Sequence, residues 1–456
     1  MAAEEFIGAS AATIGGALAR GQLDAVAFTE CLLERIAAQT SPVFLKATAA
    51  RALAEAEAAR VRLKAGRPRS ALDGVPIAWK DLIDMKGEVT TAASDLRRDA
   101  PVAERDAPIV AHAASAGMVS LGKLNLTEFA FSGIGLNPHF GTPLNPCATG
   151  AARVPGGSSS GSGVAVASGL APIAIGTDTG GSVRVPAAFN GVVGYKCSEG
   201  RIETAGVFAL SRTLDTVGPL ARTVEDCVLA DQVLRGAVGD FVPRARLSDL
   251  SIFVPESVVL EALEPEVAAN FEATLERLAA AGVSIARGPL AEFEEAARLV
   301  AEIGSIVAAE AYAEHEALVD GPQRSRIDRR VVSRIELGKS MSAVGLLRLQ
   351  KARAAAIQSL SSRMGNALFA MPTTPHVAPE RAPLEADDAV FHRVNVKSLR
   401  NTAIGNFLNL PGVAIPDGTG AAGMPTSVQI SATGNQDTAL LSAALALEPF
   451  IRGDAA

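Results

Sequence analysis

Apolar residues recur every three to four positions through residues 24–66, as in AARALAEAEAARVRLKAG (49–66), and this spacing predicts helices closed by Gly66. The pattern then shortens. Asp73-Gly74 marks a turn, and residues 75–78 form a continuous apolar run of strand length with Lys80 just beyond it. A helical pattern from Ala107 gives way to the strand-like MVSLGK (118–123). A loop rich in Gly, Pro and Asn follows, from Ser132 to Pro155. GSGVAVASG (161–169) predicts a helix of small residues, and APIAIGTDTGG (171–181) a strand ending in a glycine turn. SVRVPAAFNGVVGYK (182–196) predicts a further helix and strand. In the second half, SIFVPES (251–257) reads as a strand and PEVAANFEATLERLAAAG (265–282) as a helix stopped by Gly282. Residues 290–365 read as mostly helical. MPTTPHVAP (371–379) reads as a loop, LPGVAIPDG and MPTSVQIS as closing strands, and 440–451 as a terminal helix. Alternating elements of this kind predict an α/β fold. With no repeat, no low-complexity linker and no break in composition, the 456 residues are expected to form one large domain over 1–456, with a helical subregion near 260–365.

Composition narrows the function classes. A net charge of −7 argues against a bulk electrostatic role on nucleic acid or an anionic membrane. Four cysteines (Cys31, Cys147, Cys197, Cys227) are scattered with no CxxC pair, which disfavours a disulfide framework or a zinc site and suits a reducing compartment. The start, MAAEEF, has acids where a secretory signal needs bases, and the most apolar stretch (161–176) is too short for a membrane span. A cytoplasmic location is therefore expected. Glycine is uneven: 15 of the 42 lie between Gly133 and Gly200, more than twice an even share. Glycine gathers where backbone takes positive φ or approaches something closely, so this stretch is the first place to look for chemistry.

Several short matches carry little. GSSSG (157–161) fits a nucleophile elbow centred on Ser159, but a proline loop precedes it instead of a strand. SLGK (120–123) lacks the companion motifs of a β-lactamase, and LGKS (337–340) lacks the first glycine of a P-loop. GGSSSGSG (156–163) could cradle phosphate by geometry but has no Lys-Ser/Thr ending. Of the five histidines, none forms an HxH or HExxH pair, and His139 and His376 in proline-rich loops read as ordinary backbone-bonded residues. The arginine run 324–334 (RSRIDRRVVSR) reads first as a solvated helix face, with binding of a substrate carboxylate as the second reading.

Three segments point one way together: Lys80 in GVPIAWKD, the serine run of VPGGSSSGSG (154–163), and IGTDTGGSVRVPAA (175–188). Singly they read as a strand-end lysine, a helix N-cap behind a glycine turn, and another N-cap at Ser182. Jointly they resemble the signature of the amidase signature family, a GGSSxG loop followed by GTDTGGSxRxPAA, with Ser158 and Ser182 24 positions apart. MPTTP and GMPTSVQI also resemble family segments, and the resemblance spans roughly residues 25–450. Two positions depart from it: Cys197 stands in GYKCS where proline is common, and Trp79 where a small apolar residue is common.

The resemblance implies a single large domain with a central mixed β-sheet covered by helices, its signature core at about 70–230. It implies hydrolysis of a small-molecule amide through an acyl-enzyme, with Ser182 as nucleophile, Ser158 as bridging serine after a cis peptide, and Lys80 as base. Aliphatic, aryl, acyl-urea and carbamate substrates all stay open. The alternative is the glutaminase A-type subunit of a tRNA-dependent amidotransferase. No cofactor or metal is implied, no nucleic acid or membrane partner is expected, and a homodimer rests on family analogy alone.

The chemistry agrees with elementary requirements. A serine hydroxyl needs an adjacent base, and a lysine serves only when neutral. Bringing its pKa from ~10.4 to ~7.5 takes roughly 4 kcal/mol of differential stabilisation. Burial acts in that direction, and the run at 75–78 with Trp79 is expected to supply it. By similarity the backbone N–H groups of Thr179, Gly180, Gly181 and Ser182 form the oxyanion hole. Ser159, Thr177, Asp178 and Arg184 are assigned supporting roles.

Overall fold

The apolar runs pair edge to edge into one mixed sheet of 11 strands. The computed structural model describes residues 3–454. In chain order the strands are β1 (Phe44–Ala47), β2 (Pro76–Lys80), β3 (Val119–Leu124), β4 (Ile173–Asp178), β5 (Val193–Lys196) and β6 (Thr216–Ala221), then β7 (Ser251–Pro255), β8 (Ser284–Gly288), β9 (Leu368–Pro372), β10 (Gly412–Thr419) and β11 (Pro425–Ser431). Their order across the sheet is β1-β3-β2-β4-β6-β5-β10-β11-β9-β7-β8. The β3-β2-β4 unit and the β9-β7-β8 unit are parallel, and the strands between them run antiparallel. Helices cover the sheet, so β2, β3, β4, β5, β6 and β9 are buried along their whole length. That double cover explains why β2, β4 and β9 read as apolar runs, without alternation.

Five helices matter for the site: α1 (Ser160–Ala167), α2 (Arg184–Asn190), α3 (Ile306–Val319), α4 (Arg329–Glu336) and α5 (Asp388–Phe407). The small residues of α1 let it pack closely on β4 and α2. Among the described residues, no helix is long and apolar enough to cross a membrane.

Some sequence expectations need correction. The region 24–66 is not helical throughout: β1 interrupts helices Ala25–Ala37 and Ala49–Lys64, pairing as a short edge strand with β3. β6, β8 and α5 had no counterpart in the pattern reading. β6 (TVGPLA) carries a Gly and a Pro, and only its pairing with β4 and β5 makes it a strand. The strand at β9 also extends past the expected loop start, to Pro372.

Trp79 does not surround Lys80. Successive side chains of a strand point to opposite faces. Trp79 lies on the far face, fully buried, and its Nε1 donates to Ser120 Oγ on β3 at 3.2 Å. Cys197 is buried with Sγ 3.4 Å from Val217 O, and burial pushes its thiol up to about 12, so it is an inert packing residue.

Candidate active site

Three segments remote in sequence converge at the ends of β2 and β4. The two strands run parallel, with Trp79 opposite Ile175, which brings Thr177 beside Lys80. Lys80 is fully buried, and its Nζ donates to Ser158 Oγ at 2.7 Å and Thr177 Oγ1 at 2.8 Å. Burial lowers its pKa from 10.5 to about 7, while the charges of Asp215 and Asp178 pull in the opposite direction. Desolvation wins because the hydrogen-bond partners of this ammonium are neutral hydroxyls.

Ser158 stands two residues before α1, after a cis peptide between Gly157 and Ser158. Its loop is tied on both sides: Gly157 N donates to Gly133 O at 2.8 Å and Thr127 N to Ser158 O at 3.0 Å. A Cβ at position 157 would lie 2.6 Å from Gly135 N, so glycine is needed there for close approach. Ser159 Oγ lies between the backbone groups of Thr177, 3.3 Å from its carbonyl and 3.4 Å from its nitrogen, and Ser159 N donates to Ser182 O at 3.3 Å. Ser159 thus joins the two loops and is not placed as an elbow nucleophile.

The turn after β4 carries Ser182, which is 5% exposed. Among the described residues its Oγ makes no hydrogen bond, so the Lys80–Ser158 leg of the expected relay is formed and the Ser158–Ser182 leg is open. Asp178 organises this turn. Its carboxylate accepts from Gly181 N (2.8 Å), Val183 N (3.1 Å), Arg184 Nε (3.0 Å) and Nη2 (2.9 Å), and Asn406 Nδ2 (2.9 Å). Burial alone would raise its pKa, but Arg184 overcomes that and holds it well below the usual carboxylate range. Arg184 also donates to Gln429 Oε1 and to Thr402 O and Asn406 Oδ1 of α5. Removing one partner of such a fully buried pair strands the other, so Arg184→Met is expected to destabilise the fold by ~3–5 kcal/mol in urea melts.

The Gly181 N–H, one of four expected oxyanion donors, is thus directed to Asp178, leaving those of Thr179, Gly180 and Ser182 without a partner among the described residues. Gly181 has φ +133°, and a Cβ there would stand 2.1 Å from Thr402 Oγ1. A Cβ on Gly180 would meet nothing within 4 Å, so that glycine faces open space over the turn.

Sequence reasoning missed Asp215, Thr402, Asn406 and Gln429. Asp215 carries no local signal, because β6, the strand it precedes, has none. The others come from α5 and β11, more than 200 residues away, as buried polar side chains that no local pattern marks. His376 is the backbone-bonded residue expected, with Nδ1 2.8 Å from Val377 O. Among the described residues, no group of three or more His, Cys, Asp or Glu side chains is placed to hold a metal ion.

The arginine run resolves unevenly. Arg324, Arg326, Arg329 and Arg330 pair with Glu336, Asp95, Asp388 and Asp328. Arg334, on α4, has no carboxylate partner among the described residues. Its Nε donates to Phe131 O at 2.9 Å, its guanidinium lies 4.6 Å over the Phe131 ring, and burial lowers its pKa to about 10. Phe131 is two residues from Gly133, whose carbonyl holds Gly157.

The chain as a whole is similar to known proteins. A family model described as Amidase matches residues 27–441. The chain is 35% identical to the 2-amino-5-chloromuconic acid deaminase of Comamonas testosteroni, over 88% of this chain and 87% of that one. It is also 35% identical to the A-type subunit of the glutamyl-tRNA(Gln) amidotransferase of Roseiflexus sp. (strain RS-1), over 91% and 90% of the two chains. A crystal structure described as an amidase superposes with a TM-score of 0.84 at 28% identity, covering 98% of this chain and 99% of the other.

Proposed function

The chain belongs to the amidase family, hydrolases of carbon–nitrogen amide bonds, and from that premise we propose that it cleaves a small-molecule amide through an acyl-enzyme on Ser182. The observation that carries this reading is the buried Lys80, lowered to about 7 and 2.7 Å from Ser158 Oγ, beside a turn that presents Ser182. Ser182 Oγ attacks the carbonyl carbon and forms the new C–O bond. Its proton passes to Ser158, whose own proton goes to neutral Lys80. Collapse of the tetrahedral species breaks the C–N bond, and the proton returns through Ser158 to the leaving nitrogen. Water then repeats the sequence on the ester and releases the acid. The Ser158–Ser182 contact is one that forms as substrate enters, as catalytic hydrogen bonds commonly do. The free N–H groups of Thr179, Gly180 and Ser182 are the donors for the developing oxyanion.

Arg334, which has no carboxylate partner among the described residues, favours a substrate that carries a carboxylate, as the name of the C. testosteroni relative also suggests. Charge-assisted bonds of this kind are worth ~1.5–3 kcal/mol, so Arg334→Gln is expected to raise KM for an acidic amide roughly 10- to 100-fold and to leave kcat and neutral amides little affected. An equal loss on neutral substrates would assign Arg334 to packing.

The deciding experiment is a panel of small amides, ureas and esters, with and without a carboxylate, assayed on the purified chain with Ser182→Ala as the blank. Turnover by the chain alone supports the proposal. Glutaminase activity that appears only with added partner subunits would replace it with the amidotransferase reading, which the 35% identical Roseiflexus relative keeps in view.

A further inference from the structure

We propose that Asp215 is a positioning residue that holds the Thr179–Ser182 turn in place against Lys80, an inference that rests on the reading of Ser182 as nucleophile. The carboxylate bridges two backbone segments. Oδ1 accepts from Thr179 Oγ1 at 2.5 Å, and Oδ2 accepts from Leu210 N at 2.8 Å and Ser211 N at 3.1 Å. The next residue completes the grip, since Thr216 Oγ1 donates to Asp178 O at 2.8 Å and the two are register partners in β4 and β6. Asp215 and Thr216 therefore hold consecutive residues at the start of the turn, one through a side chain and one through the carbonyl.

The loop that carries Asp215 is itself braced from behind. Glu310 on α3 accepts from Ser211 Oγ at 2.5 Å and Thr213 N at 3.0 Å, and also from Thr213 Oγ1. Arg212 pairs with Glu314 one turn further on. A connected path thus runs from α3 through Glu310, Ser211 and Asp215 to Thr179. Two of the three free N–H groups, those of Thr179 and Gly180, sit at the end of that path. A turn lacking this tether keeps the Asp178–Arg184 anchor on its far side but loses the near one.

Asp215 also acts through its charge. The groups facing Lys80 are Asp215, Asp178, Ser158 and Thr177, of which only the two carboxylates carry charge and favour the ammonium. Those facing Asp215 are Lys80, Thr179 and two backbone N–H groups, and burial raises its own pKa. Taking away the Asp215 charge leaves Lys80 more easily neutral, so the acidic limb of the rate profile must move to lower pH.

The test compares Asp215→Asn, Thr179→Val and the double variant in the full chain, on whichever panel amide the enzyme turns over. Each single variant is expected to lower kcat about 10-fold with KM nearly constant. Asp215→Asn also moves the acidic limb of kcat/KM down by about one pH unit, the size of one neighbouring charge, while Thr179→Val leaves the limb in place. The double variant falls no further in kcat than Asp215→Asn, because both remove one contact. Thr179→Ser, which keeps the hydroxyl, recovers most of the kcat lost in Thr179→Val. An unmoved limb in Asp215→Asn, or a loss of kcat that Thr179→Ser does not recover, overturns the inference. If Asp215→Asn does not fold, the Thr179→Val and Thr179→Ser pair decides alone. Activity that survives Ser182→Ala defeats the underlying reading instead, which keeps the two failures apart.

Discussion

Ser182→Ala is expected to lower kcat/KM by about 10⁴- to 10⁶-fold, the range seen when a serine nucleophile is deleted from a site that keeps its other parts. The mutation removes one oxygen from a turn whose conformation is fixed elsewhere. Asp178 holds Gly181 and Val183, Arg184 locks Asp178 to α5, and Ser159 N binds the carbonyl of residue 182, which alanine retains. The variant should therefore fold with an unchanged melting temperature and bind substrate with similar affinity. Two further measurements separate nucleophile from bystander. A fluorophosphonate should label Ser182 in the wild type and fail to label the variant. Quenched turnover of an ester should show the mass of one acyl group on the peptide containing Ser182. Labelling at Ser159 would falsify the assignment, and the geometry says why it should not occur: Ser159 Oγ is fully buried and engaged with the Thr177 backbone.

The second large effect concerns Lys80 and has opposite signs in activity and stability. Lys80→Met keeps the length of the side chain and deletes its nitrogen. Activity is expected to fall about 10²- to 10⁴-fold, the contribution of a positioned general base. Wild-type kcat/KM should fall as pH drops below about 7, because only neutral Lys80 accepts the proton, and the residual rate of the variant should lack that limb. Stability moves the other way. Between pH 7 and about 10.4 the unfolded chain holds a proton on this lysine that the folded chain has released, so wild-type stability rises with pH through that window. Below pH 7 both states are protonated and the folded state bears the whole burial penalty, on the order of 4 kcal/mol. Loss of the hydrogen bonds to Ser158 and Thr177 offsets about half of this, at roughly 1 kcal/mol each. Lys80→Met should thus be more stable than wild type at pH 6 by about 2 kcal/mol, with the gap closing at about pH 8.5 and wild type the more stable by roughly 1–2 kcal/mol at pH 10. A variant no more stable at pH 6 than at pH 10, relative to wild type, would mean that Lys80 is not held near neutrality by burial.

The architecture is partly legible in the sequence alone. Double-covered strands such as β2 and β4 announce themselves as apolar runs because both faces are buried, and helices such as Pro265–Ala280 through their period and their glycine stop. β1 and β8 escaped because short edge strands expose half their residues and carry no such run. α5 escaped because much of the face it buries is polar: Asn395, Ser398, Asn401, Thr402 and Asn406 are buried beside Phe391, Ile404 and Phe407, and each makes a hydrogen bond. A period search for apolar residues cannot register such a face.

The candidate site divides along the same line. The sequence by itself determined the chemical groups and their chain order: a lysine at a strand end, a serine loop, and a glycine turn ending in Ser182. What only the tertiary structure decided was the condition of those groups. It lowered the pKa of Lys80 by burying it away from water, turned the Gly181 N–H toward Asp178, placed Trp79 on the face away from the lysine, and left Arg334 as the one arginine of its run without an acid among the described residues. Each of these depends on which distant segment removes water from a group or supplies its partner. Desolvation and pairing are properties of neighbours in space, and a local sequence pattern specifies neighbours only along the chain.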